Sequence, residues 1–378
     1  MQKKYKYSFN NIKGCSKNLQ PRFILYVNLG IVNIFLLIFE YYKICYNIKG
    51  GVNMDEVTSN LVKKFNFKPK YIRRKKYMYI CNTDRGIKVI RPVNYTTDKI
   101  VFAHNIKNHM INKGFTNLDN YYLSCEGLPY VINEDIVYTM TDYIDLDDWE
   151  FTDNNKFKIA IELLANFHKL SQGYNNENFY IEPIDIKENF KRKLEQLIKI
   201  KKQTNKQKKL TDFEILFIKN FEHFYKNAVE TIDILEKYKY ENLNMIAKKN
   251  NMICHNKIKE ENILIGDKCY ITQLENITID HYVYDLASFI NRYIKKHTDN
   301  YINLEEILTI YSKINYIDKS VLPILYALIK FPSAYIETCQ SFSERRRNFT
   351  PISIFNDLEE VVYLKDFSEQ YLGKIKYN

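Results

Sequence analysis

Residues Ile253-Cys254-His255-Asn256-Lys257-Ile258-Lys259-Glu260-Glu261-Asn262-Ile263-Leu264-Ile265 read as a loop that runs into a strand. Gly266-Asp267 follow as a turn, and Tyr270-Ile271-Thr272-Gln273-Leu274-Glu275 as the return strand. A hairpin holds the loop before it in one place, and loops on rigid supports are where chemistry is usually found. The polar side chains of this segment include His255, Lys257, Asn262, Gln273 and Glu275. Cys254 and Cys269 flank the segment and read as small buried residues.

Upstream, Asp55 to Phe65 places Leu61, Val62 and Phe65 on one helical side. Tyr77 to Cys81, a turn at Asn82 to Gly86, and Ile87 to Ile90 read as strands. Residues 98–112 read as a helix closed by Lys113-Gly114. Tyr121 to Ser124 and Val137 to Tyr143 follow as strands, with Tyr130-Val131-Ile132 available to pair with them. This is a small sheet with one helix across it. Beyond it the period changes: Phe157, Ala160, Leu163, Leu164 and Phe167 form one apolar helical face, and helices follow near 187–203 and 211–238. A strand-rich part followed by a helix-rich part predicts a bilobal α+β protein. The expected divisions are an N-terminal extension at 1–53, a small lobe at 54–143 and a helical lobe at 144–378, with the hinge between Met140 and Leu146.

Composition narrows the function. At 46% hydrophobic and 15% aromatic, the 378 residues suit a folded chain with a substantial core. The net charge of +11 invites a nucleic-acid partner, but residues 1–53 hold eight Lys/Arg against Glu40 alone, leaving +4 for the rest. The main basic run, Lys187 to Lys209, alternates with Leu194, Leu197, Ile198 and Ile200 as a solvated helix face does. No nucleic-acid partner is expected. The seven cysteines show no zinc-like spacing and read as reduced thiols of a cytoplasmic protein.

Phe23 to Phe39 are seventeen residues without a charge, at the short limit for a membrane span. A membrane partner is expected only if residues 23–39 are translated and inserted, and a helix over Phe23 to Tyr46 would then make few contacts with the domain. Lys49-Gly50-Gly51-Val52-Asn53-Met54 is also what a purine-rich ribosome-binding site and a start codon would encode, so the favoured expectation is a reading frame extended past its start at Met54.

His255 and Asn262, with the hairpin after them, resemble the His-x-Asp-x-x-x-x-Asn loop of aminoglycoside phosphotransferase-like and choline-kinase-like enzymes. Leu164-Ala165-Asn166-Phe167-His168, Ser171-Gln172-Gly173-Tyr174, Tyr284-Asp285-Leu286-Ala287-Ser288-Phe289 and Ile329-Lys330-Phe331-Pro332-Ser333-Ala334-Tyr335 resemble segments of the CotS-type spore coat proteins, a branch of that fold. So do Glu126-Gly127-Leu128-Pro129-Tyr130-Val131 and Glu344-Arg345-Arg346-Arg347-Asn348. The similarity runs from about residue 56 to 365, and its strength lies in the order and spacing of these motifs.

The resemblance implies a protein-kinase-like fold with Lys257 where the catalytic Asp stands and Gln273 where a metal-binding Asp stands. An ammonium has no lone pair to accept a hydroxyl proton, and an amide is a poor magnesium ligand beside a carboxylate. The expectation is a pseudokinase: no catalytic residue in the degenerate loop of His255, Lys257 and Asn262, no metal and no cofactor. Arg91, Asn262, Gln273 and Glu275 remain as nucleotide-binding candidates, Arg91 being either the strand-borne pairing cation or an exposed cation. His168 is read as a packed or capping histidine, and Asp285 as a structural support of the loop. The implied role is a spore coat structural or assembly protein, made in the mother-cell cytoplasm, carried into the coat and bound to other spore coat proteins. The alternatives are an atypical ATP-dependent small-molecule phosphotransferase using Glu275, and a membrane-tethered scaffold.

Overall fold

In the computed structural model, residues 54–145, 149–174, 185–296, 301–344 and 352–373 are described. The expected extension 1–53, the helix at Phe23 to Tyr46, Leu146 of the hinge, and the Arg345-Arg346-Arg347-Asn348 motif fall outside them. The described residues from Thr58 onward form one compact unit. Among the described residues no helix is long and apolar enough to cross a membrane.

Helix α1 (Met54–Lys64) leads into β1 (Pro69–Lys75), β2 (Met78–Thr83) and β3 (Gly86–Val93). Helix α2 (Thr97–Asn112), β4 (Val131–Asn133) and β5 (Ile136–Asp142) follow. The five strands form an antiparallel sheet in the order β1-β2-β3-β5-β4. Strand β1 was not expected. Its sequence Pro-Lys-Tyr-Ile-Arg-Arg-Lys is largely exposed at the sheet edge, so it shows no apolar alternation. Tyr121 to Ser124, expected as a strand, is not one. The Tyr122 N–H does donate to the Met140 carbonyl at 2.8 Å, but the chain turns at once, with Gly127 at φ +75°.

Alternation across β3 separates two cores. Ile90 faces Leu61, Val62, Phe65, Cys81 and Met140 in a cluster under α1. Val89 and Arg91, one residue to either side, face the opposite way and line a cleft. The helix α2 does not complete the α1 cluster; Ile100, Phe102, Ala103, Ile106 and Met110 join the larger core of the helical lobe. The sheet's own cluster is thus covered by α1, while α2, the helix expected across the sheet, sends its apolar residues into the larger core.

That larger core is built on α3 (Asn154–Ser171), α4 (Ile186–Thr204), α5 (Asp212–Lys237) and α6 (Tyr240–Lys249). Asp153 caps α3 by accepting from the N–H groups of Asn155 and Lys156, and Thr211 with Glu214 forms a capping box on α5. Phe157 of α3 stacks on Tyr293 at 3.9 Å and Phe289 at 5.0 Å, both on α7 (Val283–Ile294). Helices α8 (Leu304–Ser312), α9 (Leu322–Lys330), α10 (Ser333–Ser343), α11 (Ile352–Tyr363) and α12 (Lys365–Leu372) complete the lobe.

Between α6 and α7 lie the short strands β6 (Ile253–Cys254), β7 (Ile263–Ile265), β8 (Cys269–Ile271) and β9 (Thr278–Ile279). Strands β7 and β8 form the expected hairpin, and β6 pairs with β9. The segment after α2 is strapped to this hairpin. The Ile271 N–H donates to the Asn117 carbonyl at 2.9 Å, and Asn117 Nδ2 donates to the Cys269 carbonyl at 2.6 Å.

Candidate functional site

The polar loop begins at β6 and is held from below. Asp285, on α7, accepts the backbone N–H of His255 at Oδ2 and that of Asn256 at Oδ1, the latter at 2.8 Å. His168 Nε2 lies 3.1 Å from the same Oδ2, and His168, His255 and Asp285 are buried. A carboxylate only accepts, so the proton sits on Nε2. Its other ring nitrogen, Nδ1, lies 2.7 Å from the Tyr311 hydroxyl. His168 and Asp285 thus meet under the loop, where they fix its start.

Among the described residues, His168, Cys254 and Asp285 place one ligand atom each within 4.8 Å of one another. This grouping anchors the loop. The Cys254 thiol donates to the Asp280 and His281 carbonyls at 3.4 and 3.3 Å, and burial pushes its pKa well above the ordinary value, opposing the thiolate a metal would need.

Above this anchor, His255 is buried with Nε2 3.0 Å from the Thr272 carbonyl. Lys257 is exposed on a cavity wall. Asn262 is buried; its carbonyl accepts from the Thr272 N–H at 2.8 Å, while its Oδ1 has no hydrogen-bond partner. Gln273 adopts a left-handed conformation at φ +63°, which turns the chain so that Glu275 follows it into the interior.

The cleft between sheet and helices contains two cavities of about 640 and 370 Å³, both lined by Tyr77, Arg91 and Gln273. The larger has an apolar part bounded by Met78, Val89, Ile263 and Leu264, and it reaches Tyr143 and Ile144 after β5. The smaller holds Lys257, Asn262 and Glu275. Four of the sequence-derived candidates, Arg91, Asn262, Gln273 and Glu275, are therefore brought together. Arg91 is not an exposed strand cation: it is 8% exposed.

Its neighbours include residues that sequence reasoning missed. Arg91 Nη2 donates to Asp119 Oδ2 at 3.0 Å and lies 3.6 Å from Glu275 Oε1. Lys107, fully buried on α2, donates to Asp119 Oδ1 at 2.7 Å and stands 3.5 Å over the Tyr121 ring. Two cations and two carboxylates balance, which is what burial of charge demands. Burial opposes the charged form of Glu275, but Arg91 and Lys107 outweigh it and hold this carboxyl below its ordinary pKa. For Lys107, burial wins over Asp119 and Glu275 and its pKa is lowered. One signal was available: a lysine among Ala103, Ile106 and Met110 on an apolar helix face requires a buried acid.

The β1–β2 turn also escaped notice, because β1 did. Lys75, Lys76 and Tyr77 overhang the larger cavity there, with Lys76 at φ +54°.

Residues 58–375 match the family model described as "Spore coat putative kinase YutH". The chain belongs to this family. Among solved structures it is similar to an aminoglycoside phosphotransferase from Alicyclobacillus acidocaldarius, with 14% identity and a TM-score of 0.75 over 83% of this chain and 93% of that one. It is also similar to spectinomycin phosphotransferase APH(9)-Ia in complex with ADP and spectinomycin, at 15% identity and a TM-score of 0.55 over 85% and 99%. Amicoumacin kinase hAmiN, in complex with AMP-PNP, Ca2+ and Ami, matches at 12% identity and a TM-score of 0.52 over 88% and 97%. The fold is that of the phosphotransferases and kinases.

These matches correct the expectation of a non-enzyme. The family carries a kinase designation, and the similar structures are phosphotransferases and a kinase. The physical reason is that phosphoryl transfer depends mostly on positioning and electrostatic stabilisation. Lys257 and Gln273 alter two positions of such a site and leave Arg91, Asn262 and Glu275 in the cleft.

Proposed function

We propose that this protein is an ATP-dependent phosphotransferase of atypical site composition, acting on a small hydroxyl-bearing acceptor and working in association with the spore coat. The observation that carries this reading is a pair of buried oxygens without hydrogen-bond partners, Asn262 Oδ1 and Glu275 Oε1, in residues that line one cavity beside Arg91. Buried acceptors are rarely left unpaired, and those that are call for an ion or ligand. An amide oxygen and a carboxylate oxygen suit a divalent cation.

Asn262 and Glu275 are the residues that would hold that cation, which when bound would neutralise phosphate charge. Arg91 supplies a permanent positive charge to the same place, and the turn lysines Lys75 and Lys76 add charge at the cleft rim. The apolar part of the larger cavity, between Val89 and Ile263, suits a planar base, and 640 Å³ lies within the range of small-molecule sites. Lys257 cannot take a proton from the acceptor while it is charged. General-base assistance typically contributes about 10²–10⁴-fold, so the reaction proposed here is slow but not abolished. The family's designation supports association with the spore coat; synthesis in the mother cell and assembly among other coat proteins belong to the same proposal.

The test uses the purified full chain with ATP and magnesium or manganese, first by calorimetry and then with labelled ATP and a panel of amino-alcohol and sugar acceptors. Metal-dependent ATP binding and transfer, both lost in Asn262→Ala and Glu275→Gln, are expected. Failure of the unaltered chain to bind any nucleotide would overturn the reading.

A further inference from the structure

We propose that Asp119 is the positioning carboxylate of this cleft: by holding Arg91 it keeps Glu275 free for a cation, and it is itself held in place by Lys107. The inference rests on the phosphotransferase reading and adds a residue to its site.

In kinases the strand cation pairs with an acid on the neighbouring helix. Here the buried residues of α2 are Ile100, Phe102, Ala103, Ile106, Lys107 and Met110, so the helix offers a cation and no acid. Two cations, Arg91 and Lys107, then point into one buried volume, and an anion must come from elsewhere. Asp119 provides it from the segment after α2. It is 4% exposed and accepts from Arg91 at 3.0 Å, from Lys107 at 2.7 Å and from the Gln273 N–H at 3.2 Å. Lys107 Nζ also donates to the Asp119 carbonyl at 2.6 Å, gripping the residue by backbone and side chain together.

The two acids compete for one guanidinium nitrogen. Nη2 of Arg91 hydrogen-bonds Asp119 at 3.0 Å and stands 3.6 Å from Glu275 Oε1, outside a well-formed bond. Asp119 wins, and Glu275 Oε1 is left without a hydrogen bond. Without the charge on Asp119, Arg91 turns to Glu275 and occupies the oxygen that a cation requires. Asp119 also fastens the turn at Gln273, so its loss would disturb the same cation position from the backbone side.

The readout is the concentration of magnesium needed for half-maximal ATP binding by the full chain, measured by titration calorimetry. Asp119→Asn keeps the shape and removes the charge. It should raise that concentration about tenfold, the effect of losing one charge-assisted hydrogen bond. Asp119→Glu should recover part of the loss, and the exposed-pair control Glu241→Gln should not differ from the unaltered chain. Should Asp119→Asn fail to fold, Asp119→Glu must still show a smaller shift in the same direction. An unchanged magnesium requirement in the folded variants overturns the role of Asp119 and leaves the phosphotransferase reading standing. Absence of ATP binding by the unaltered chain overturns both.

Discussion

His168 and Asp285, on helices α3 and α7, meet at 3.1 Å in complete burial, and the same Asp285 carboxylate accepts the backbone N–H groups of His255 and Asn256. The start of the polar loop is therefore fixed by a charge delivered from the core of the helical lobe. Removing the acceptor leaves the backbone N–H groups of His255 and Asn256 unpaired and takes one of two partners from His168. Asp285→Ala should destabilise the protein by about 3–5 kcal/mol, as expected for one half of a buried pair. Urea unfolding checks this, and a loss below about 1 kcal/mol would show the loop to be held by other means.

The neighbouring residues Asp280 and His281 make opposite contributions to pH dependence. Burial raises the Asp280 carboxyl from its ordinary 3.8 to about 7, so the folded state holds a proton that the unfolded state has released. Its stabilising contribution is complete below about 3.8 and is lost as pH rises through about 7. Burial, with His168 nearby, lowers His281 from 6.5 to about 4, so its contribution is present above about 6.5 and lost as pH falls through about 4. Between pH 4 and 6.5 the two slopes oppose each other. Asp280→Asn should expose a stability that climbs with pH there, and His281→Gln one that falls. Melting temperatures across pH 4 to 8 test it; parallel profiles for both variants would refute the assignment.

On the phosphotransferase reading proposed above, Lys257 stands where a carboxylate would assist the acceptor hydroxyl. Lys257→Asp gains a proton acceptor and loses an exposed, solvated cation, whose electrostatic worth is small. Turnover in the labelled-ATP assay should rise about 10²-fold. Unchanged or lower turnover would mean that Lys257 contributes directly to phosphate binding.

Phe157 lies at the centre of an aromatic group formed with Phe151, Phe289 and Tyr293. It is fully buried, and truncation opens a cavity that rings on three sides cannot collapse to fill. Phe157→Ala should cost about 3–5 kcal/mol, and Phe157→Leu well under half of that. Denaturant midpoints of the two variants decide; equal losses would argue against a packing origin.

Much of this protein could be read without coordinates. Period 3.6 in 157–167, 187–203 and 211–238 predicted α3, α4 and α5, because each helix buries a single stripe against one core. The hairpin at 263–274 and the loop before it were legible because turn residues and local spacing define them. Arg91, Asn262, Gln273 and Glu275 are legible through the resemblance of their short segments to those of the phosphotransferase-like fold. Strand β1 was hidden because an exposed edge strand carries no apolar alternation. Only the tertiary structure decided that Asp119 faces Arg91 and Lys107. A buried lysine on α2 requires a carboxylate, but which of 45 acidic residues supplies it depends on where the folded chain crosses itself. The 3.0 and 3.6 Å distances that assign Arg91 to Asp119 and leave Glu275 open arise from packing β3, α2 and the hairpin together. Sequence spacing encodes what neighbours along the chain can do; the pairing of Arg91 with Asp119 across 28 positions, and the Gln273 N–H bond to Asp119 across 154, are set by burial, which exists only once the core has formed.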